Sequence, residues 1–315
     1  NGKSKKEKDA HMITFSQAFA DALYQKMKED QKIHVISAAM INGSSLQRIF
    51  NDFKNRSHDV GIAEEHAVCF ANGLALSQLK PVVSLYSTFM QRAYDEINHD
   101  IARINSSVVF LVDRAGIVGE DGETHQGIYD ISFLYPLKNV TILMPPNTSY
   151  VQACLDFAFL HGGPVFIRYS KSTVYKQEPV PSIAYKQYLT YNIHPQNLAI
   201  IIAVREGYEE MVAEVQHSIY NIGVVNPLFL KPLNEDFLLS IQDKPLFLYD
   251  RTSVFEGFGS AITQFYNQHH RFIKTFCVPN ENIIHGNVHR IYEHYHLSAA
   301  QVFQQILKDI NQWEK

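Results

Sequence analysis

Short apolar runs alternate with longer segments of helical periodicity along the chain, and this alternation is its strongest constraint on the fold. Ile33–Ser37, Pro81–Leu85 and Val108–Val112 have the length and composition of buried strands. Phe15–Met27 places apolar side chains at four-residue intervals, as in an amphipathic helix. The alternation predicts βαβ units, and we expect an α/β fold whose mainly parallel sheets are flanked by helices.

The alternation is interrupted once, which divides the chain into two predicted domains. Residues 177–196 contain three prolines and little periodicity, which is typical of a linker. We expect one α/β domain over residues 12–176 and a smaller one over 197–315, because 315 residues are enough for two full cores. The polar, lysine-rich residues 1–11 have the composition of a disordered tail.

Composition excludes several classes of function. The net charge of -4 gives no basic excess for binding nucleic acid, and no run approaches the roughly 18 apolar residues of a membrane span. Cys69, Cys154 and Cys277 are far apart in the sequence and have no metal-binding or disulfide spacing. We interpret them as small buried side chains in a protein of the reducing cytoplasm.

Residues 113–127, DRAGIVGEDGETHQG, follow the strand Val108–Val112 and concentrate chemically active groups. Open α/β sheets bind ligands at the carboxyl ends of their strands. Glycine permits tight turns and close approach to a ligand, while Arg114, Asp121 and His125 can bind anions or transfer protons. The alternative is a solvated turn without a task, which seldom collects all of these residues.

A second segment, DVGIAEEHAV at residues 59–68, places Glu64, Glu65 and His66 where a strand passes into a helix. The amino end of a helix favours carboxylates, so a purely capping role is one interpretation. The other is a carboxylate held in an apolar pocket for proton chemistry. This segment alone leaves both interpretations open.

A third segment, YSTFMQRAYDEINHD at residues 86–100, continues directly from another predicted strand. Its helix is predicted to run from Ser87 to Ile104. Tyr86 and Phe89 are either core aromatics or part of a ligand site at the sheet edge. Arg92, in the first turns of the helix, is expected to face a cleft.

These three segments, in this order, resemble the 1-deoxy-D-xylulose-5-phosphate synthases, which are thiamine-diphosphate enzymes of the transketolase superfamily. The resemblance runs from about Phe15 to Arg168 and continues more weakly through Lys231–Leu233 and Glu256–Gly259. It implies a decarboxylative condensation of pyruvate with glyceraldehyde 3-phosphate. It also implies a transketolase-like pyrimidine-binding domain followed by a transketolase C-terminal domain, in a homodimer.

The resemblance implies a role for several residues of the cofactor site. Glu64 matches the glutamate that hydrogen-bonds N1′ of the cofactor's aminopyrimidine and promotes its imino tautomer. Phe89 matches the aromatic that packs on this ring, and Tyr86 lies beside it. Ala38 to Met40 match the stretch that lines the middle of the cofactor.

Other residues match the substrate end of the family's cleft. Asp121 and His125 complete the implied catalytic set with Glu64. Arg92, with Tyr86, corresponds to a substrate-binding group. Arg114 and Arg168 correspond to the arginines that hold the phosphate of the acceptor, a role that suits a planar guanidinium.

The chain departs from the family in three ways. Glu65 stands where the family commonly has Gln, and Tyr249-Asp250 stands where an acidic pair is usual. The chain also contains no Gly-Asp-Gly, the motif that binds the diphosphate and Mg²⁺ in the family. We therefore expect no metal ligands here, an absent amino-terminal cofactor domain, and no activity of this chain alone.

Three hypotheses follow. The chain is the carboxyl-terminal part of a synthase, or a naturally split transketolase-like subunit that binds a separate amino-terminal chain, or a non-catalytic assembly module. The presence of Glu64, Arg92, Asp121, His125 and Arg168 argues against the third, because a module without activity has no need of them.

Overall fold

A computed structural model of the protein describes residues 11–313. The strands are β1 (Met12–Thr14), β2 (Ile33–Ser37), β3 (Ser57–Asp59), β4 (Lys80–Tyr86), β5 (Val109–Asp113), β6 (Thr141–Leu143), β7 (Val165–Arg168), β8 (Thr173–Tyr175), β9 (Tyr188–Tyr191), β10 (Ala199–Ala203), β11 (Ile222–Pro227), β12 (Phe229–Lys231), β13 (Leu246–Val254) and β14 (Ile273–Val278). The α-helices are α1 (Phe15–Glu29), α2 (Gln47–Asp52), α3 (Glu64–Leu76), α4 (Ser87–Met90), α5 (Tyr94–Glu96), α6 (Asp130–Leu134), α7 (Val151–His161), α8 (Glu206–Gln216), α9 (Glu235–Ser240), α10 (Ser260–Gln268), α11 (Val288–His294) and α12 (Ala299–Trp313).

The chain forms two compact units. The first unit comprises residues up to 115 together with 137–183, and the second comprises 116–136 together with the chain from 184 onward. Both units are α/β, as the alternation predicts. The predicted tail lies outside the described residues except for His11, whose carbonyl oxygen accepts a hydrogen bond of 2.8 Å from the Lys176 amide.

In the first unit the strands run parallel in the order β6–β7–β5–β4–β2–β3. The first long helix, α1, begins where the Thr14 hydroxyl accepts a hydrogen bond of 3.1 Å from the Gln17 amide. It buries Phe15, Phe19 and Leu23 at four-residue intervals. The chain order changes direction between β2 and β4, which makes their carboxyl ends a favoured position for a ligand.

The segment after β4 is helical, as predicted, but it is not one continuous α-helix. After α4 it continues as a 3₁₀ turn at Gln91–Ala93, then α5, and then a π-helix at Ile97–Ala102. The prediction of one continuous α-helix from Ser87 to Ile104 is therefore wrong, because the backbone hydrogen-bond spacing changes along the segment. The apolar spacing fixes which face is buried but not whether each amide bonds three, four or five residues back.

In the second unit, β14–β13–β10–β11 are parallel and β9 pairs antiparallel with β11 at the edge. Strand β9 lies inside the range that the prolines indicated as linker. Residues 116–136 pack with this unit because Ile117 and Ile128 join an apolar cluster with Val254, Val278 and Tyr292.

Candidate active site

The carboxyl ends of the first unit's parallel strands bring several candidate residues to one edge. Tyr86, the last residue of β4, is in register with Asp113 at the end of β5. Arg168, at the end of β7, is in register with Val112 of β5. The sheet topology thus delivers these side chains from separate parts of the sequence to neighbouring positions.

Glu64 is the first residue of α3 and is almost fully buried. Its Oε2 atom is inaccessible to solvent and receives no hydrogen bond within the protein. A buried carboxylate oxygen without a donor destabilises the folded chain, so such an atom requires an explanation. Glu65, by contrast, is exposed, so the second carboxylate of this segment points away from the buried position.

Arg92 provides the cationic group that faces Glu64. Its Nη1 atom lies 3.5 Å from Glu64 Oε2, and 55% of its side chain is exposed, against 4% for Glu64. The arginine therefore reaches from solvent toward a carboxylate that is itself inside the protein. Arg92 thus lies between solvent and the buried oxygen of Glu64.

Tyr86 and Phe89 form a stacked aromatic pair, with ring centroids 5.5 Å apart and planes 12° apart. Gly43 lies against this pair. A Cβ atom added at Gly43 would be 1.9 Å from the Tyr86 hydroxyl oxygen, so only glycine fits beside the ring as it stands. The sequence indicates both aromatics but not Gly43, because a contact between residues 43 positions apart leaves no local pattern.

Arg114 is held in a buried network at the end of β5. Its Nη1 atom donates to Asp113 Oδ2 and to the Gly43 carbonyl oxygen, each at 2.7 Å. Its guanidinium carbon lies 4.3 Å from the centroid of the Tyr86 ring, a cation–π contact. The arginine thereby links the loop that follows β2 to the end of β5.

Asp113 is a site residue that the sequence analysis did not single out. Its Oδ2 atom also accepts a hydrogen bond of 2.9 Å from the Ser16 hydroxyl of α1. Burial raises the pKa of Asp113 to about 6, although the Arg114 guanidinium and the Ser16 hydroxyl act in the opposite direction. The feature of the sequence that points to Asp113 is its position directly after a predicted buried strand.

The predicted cofactor-lining residues Ala38 and Met40 lie in the loop after β2, where Ala38 is buried and Met40 is half-buried. Asp59 holds the backbone between them, because its Oδ1 atom accepts a 2.9 Å hydrogen bond from the Ala39 amide. The same oxygen accepts one of 3.0 Å from the Gly61 amide, near the start of α3. One carboxylate thus ties the predicted cofactor-lining loop to the segment that leads to Glu64.

Arg168 is fully buried in the first unit, where its Nη1 atom donates to the Met144 sulfur at 3.0 Å. Asp121 and His125 belong to the second unit, in two short 3₁₀ turns. The structure therefore groups Glu64 with Arg92, and Arg114 with Tyr86, within the first unit, whereas Asp121 and His125 belong to the other unit.

The glycine-rich loop is fixed at its base within the second unit. Gly116 and Gly127 exchange two backbone hydrogen bonds, of 2.7 and 2.8 Å. Gly119 has a φ of 72° and packs so closely on the backbone of Gly286 that a Cβ atom would be 2.7 Å from that carbonyl oxygen. The base of the loop is therefore ordered by contacts within the second unit, while Glu120, Glu123 and Thr124 at its tip are exposed.

In the second unit, the departure at Tyr249-Asp250 has a structural explanation. The Tyr249 hydroxyl donates to the Leu297 carbonyl oxygen at 2.7 Å. The fully buried Asp250 accepts hydrogen bonds from the side chains of Thr252 and Ser253, at 2.7 and 2.6 Å. Both residues are thus engaged in internal contacts of the domain.

Among residues 11–313, no group of three or more His, Cys, Asp or Glu side chains is arranged to hold a metal ion. Within the same described range, no helix combines the length and the apolar character that crossing a membrane requires.

Comparison with known families agrees with the geometry. The family described as transketolase, pyrimidine binding domain, matches residues 11–177, and that described as transketolase, C-terminal domain, matches residues 203–302. A split-gene transketolase solved as an inactive β4 tetramer has the same fold, with a TM-score of 0.83 and 22% identity over 95% of this chain and 99% of that one. The transketolase of Campylobacter jejuni gives a TM-score of 0.80 at 15% identity, over 94% of this chain and 47% of that one.

The fold and the matched domains define a transketolase-type protein of two α/β domains. The chain belongs to the transketolase family, a family of thiamine-diphosphate-dependent enzymes, and carries its pyrimidine-binding and C-terminal domains. Within that family it is 36% identical to the 1-deoxy-D-xylulose-5-phosphate synthase of Natranaerobius thermophilus, over 93% of this chain and 48% of that protein. It is 37% identical to the synthase of Halalkalibacterium halodurans, over 94% of this chain and 48% of that one. The chain thus spans about half the length of the curated relatives it matches.

Proposed function

We propose that this chain supplies the pyrimidine-binding and C-terminal domains of a 1-deoxy-D-xylulose-5-phosphate synthase. The proposed reaction is the decarboxylative condensation of pyruvate with glyceraldehyde 3-phosphate. The domain that binds the diphosphate and Mg²⁺ would come from an amino-terminal segment or from a separate chain, and without it this chain would be inactive. A homodimer and a cytoplasmic location remain predictions.

The buried Oε2 atom of Glu64 is the observation that carries this proposal. Because the protein offers it no hydrogen bond, it is suited to share a proton with a nitrogen of a bound ring, as the aminopyrimidine of thiamine diphosphate requires. The stacked Tyr86 and Phe89 offer a flat aromatic surface for such a ring, and Ala38 and Met40 would line its neighbourhood. The residues present therefore fit the cofactor.

When bound, thiamine diphosphate supplies the carbon nucleophile for the keto group of pyruvate and accepts the electron pair released with carbon dioxide. Glu64 would hold the proton at the ring nitrogen and so keep the cofactor in its reactive tautomer. Arg92, at the mouth of this position, would bind the pyruvate carboxylate. Asp121 and His125 would bind the substrates and transfer protons.

Arg114 and Arg168 are the proposed ligands of the acceptor's phosphate. Arg114 keeps 11% of its side chain exposed, and the network with Asp113 and Gly43 fixes the direction of its guanidinium. Arg168 is fully buried, so Arg114 is the better supported of the two. A guanidinium fixed before the ligand arrives loses little conformational entropy on binding.

A split transketolase-like subunit is the second candidate. It is favoured by the split-gene transketolase neighbour, which this chain covers over 99% of its length. In that case the donor would be a ketose phosphate and pyruvate would not be consumed. The two candidates share the Glu64 site and differ in their donor substrate.

The test completes the protein with the amino-terminal half of the family fold, in the presence of thiamine diphosphate and Mg²⁺. Release of carbon dioxide from pyruvate, stimulated by glyceraldehyde 3-phosphate, supports the synthase. Transfer from a ketose phosphate without release of carbon dioxide supports the split transketolase instead. Absence of both reactions, with cofactor demonstrably bound, would contradict both candidates.

A further inference from the structure

A small pocket in the second unit lies beside Lys231 and has no part in the proposed reaction. Its volume is about 290 Å³, and its apolar wall includes Leu233, Ala261 and Phe265. Glu235, at the start of α9, and Gln264, on α10, supply polar groups at its opening. Its size suits a molecule of a few carbon atoms rather than a nucleotide or a peptide.

Lys231 lines this pocket and is half-buried. Its Nζ atom donates a hydrogen bond of 2.6 Å to the Tyr135 carbonyl oxygen and lies 5.4 Å from the centroid of the Tyr135 ring. Burial lowers the pKa of Lys231 to about 8. At pH 7 about a tenth of such amines are neutral, against roughly one in a few thousand for an ordinary lysine.

We propose that Lys231 is a site of reversible covalent modification by small aldehydes, which enter this pocket and form an imine with its amine. A neutral lysine amine is a nucleophile toward carbonyl carbon, and desolvation is one way in which proteins produce it. The neutral amine keeps a proton to donate to the Tyr135 carbonyl oxygen while its lone pair attacks.

The step is balanced without an oxidant or reductant. The Nζ lone pair forms a bond to the aldehyde carbon, and the carbonyl electron pair moves to oxygen, which takes up a proton. Loss of that oxygen as water then gives the imine, so one aldehyde and one amine yield one imine and one water. Glu235 lines the same pocket and would exchange these protons, and its charge disfavours anionic ligands.

The test uses the 315-residue chain with propanal and sodium cyanoborohydride, which traps the imine as a stable propyl-lysine. Peptide mass spectrometry measures the labelling rate of each lysine at pH 7. Lys231 should be labelled at least about tenfold faster than Lys28, an exposed lysine near the end of α1. Its rate should also level off above about pH 9, where an amine with a pKa of about 8 is almost entirely neutral.

Two variants test whether the pocket, and not the amine alone, determines the labelling rate of Lys231. Ala261→Leu fills the pocket and should lower the labelling rate of Lys231 several-fold, while that of Lys28 stays unchanged. Ala300→Leu, the same change at an exposed position on α12, should alter neither rate. Labelling of Lys231 no faster than that of Lys28 in the unsubstituted protein would overturn the proposal, as would equal labelling in the Ala261 variant.

Discussion

Arg92 Nη1 lies 3.5 Å from Glu64 Oε2, so a half-exposed cation faces a buried carboxylate oxygen that receives no hydrogen bond. Half-exposed ion pairs contribute little to stability, typically about 0–1 kcal/mol. The Arg92–Glu64 pair is therefore better explained by the ligands that it can bind than by a contribution to the stability of the fold. A ring nitrogen would satisfy Glu64 from inside the cleft, and a substrate carboxylate would satisfy Arg92 at its mouth.

Arg92→Ala should raise the KM for pyruvate in the completed protein, because the proposed carboxylate contact is lost. Hydrogen bonds to charged groups contribute about 1.5–3 kcal/mol, which corresponds to a change of roughly ten- to a hundredfold. Steady-state kinetics measures this change. Arg103→Ala, an exposed arginine further along the same helical segment, is the matched control and should leave KM unchanged. Equal KM values for the two variants would contradict the role of Arg92.

Gly43→Ala should destabilise the first unit. The new Cβ would be 1.9 Å from the Tyr86 hydroxyl oxygen, so the ring must shift from its contacts with Phe89 and Arg114. Overpacking of this kind costs about 1–3 kcal/mol, which denaturant unfolding can measure. Gly73→Ala is the control, because nothing lies within 4 Å of a Cβ there in the interior of α3. That change should raise stability by about 0.5–1 kcal/mol.

The raised pKa of Asp113 predicts that the free energy of unfolding depends on pH. Its pKa of about 6 in the folded protein is above the unfolded value of about 3.9, so the folded state binds more protons between these values. The contribution of Asp113 to the free energy of unfolding should therefore fall as pH rises from about 4 through 6, and level off above about pH 7. Asp113→Asn removes this titration.

The difference in unfolding free energy between the original protein and the Asp113→Asn variant isolates this term from other carboxylates. The original protein should lose stability relative to the variant across that pH range. A difference that is constant with pH would show that Asp113 titrates as in the unfolded chain, and would contradict the account of its burial.

The facing pair His34 and His58 predicts the opposite dependence. Their Nδ1 and Nε2 atoms are 3.1 Å apart, and burial lowers the pKa of both, with the charge of Arg56 also lowering that of His34. The unfolded chain takes up protons near pH 6.5 before the folded one does, so stability should fall as pH drops through 6.5.

His58→Gln should reduce this loss of stability between pH 7.5 and pH 5.5, because one of the two depressed titrations is removed. His99→Gln, at an exposed histidine of the π-helix, is the control and should lose as much as the original protein. Thermal unfolding at the two pH values measures both variants. An undiminished loss in the His58 variant would contradict the coupling of this pair to folding.

Much of the fold was predictable because strand and helix periodicity are local. The prediction of β2 at Ile33–Ser37 is confirmed at both ends, and α1 begins at the predicted Phe15. Strand β9 was not predicted because three prolines dominate its surroundings, and β14 was not predicted because its residues alternate poorly. The π-helical register of Ile97–Ala102 also has no signature in apolar spacing.

The candidate site was predictable only in part. Motifs identified Glu64, Tyr86 and Arg114, since each lies at or shortly after the carboxyl end of a strand. The network of Arg114 was not predictable, because it joins Asp113 to Ser16, 97 residues away, and to Gly43. Such contacts depend on how distant segments pack, and no sequence window contains both partners.

The most direct test of the account is turnover of the completed protein with Glu64→Ala and with Glu65→Ala. Formation of 1-deoxy-D-xylulose 5-phosphate from pyruvate and glyceraldehyde 3-phosphate is measured at saturating thiamine diphosphate and Mg²⁺. We predict that the Glu64 variant loses about 10²–10⁴-fold in kcat, the usual range for a positioned proton-transfer group. The exposed Glu65 variant should retain its turnover. Retained turnover in the Glu64 variant would contradict the central claim.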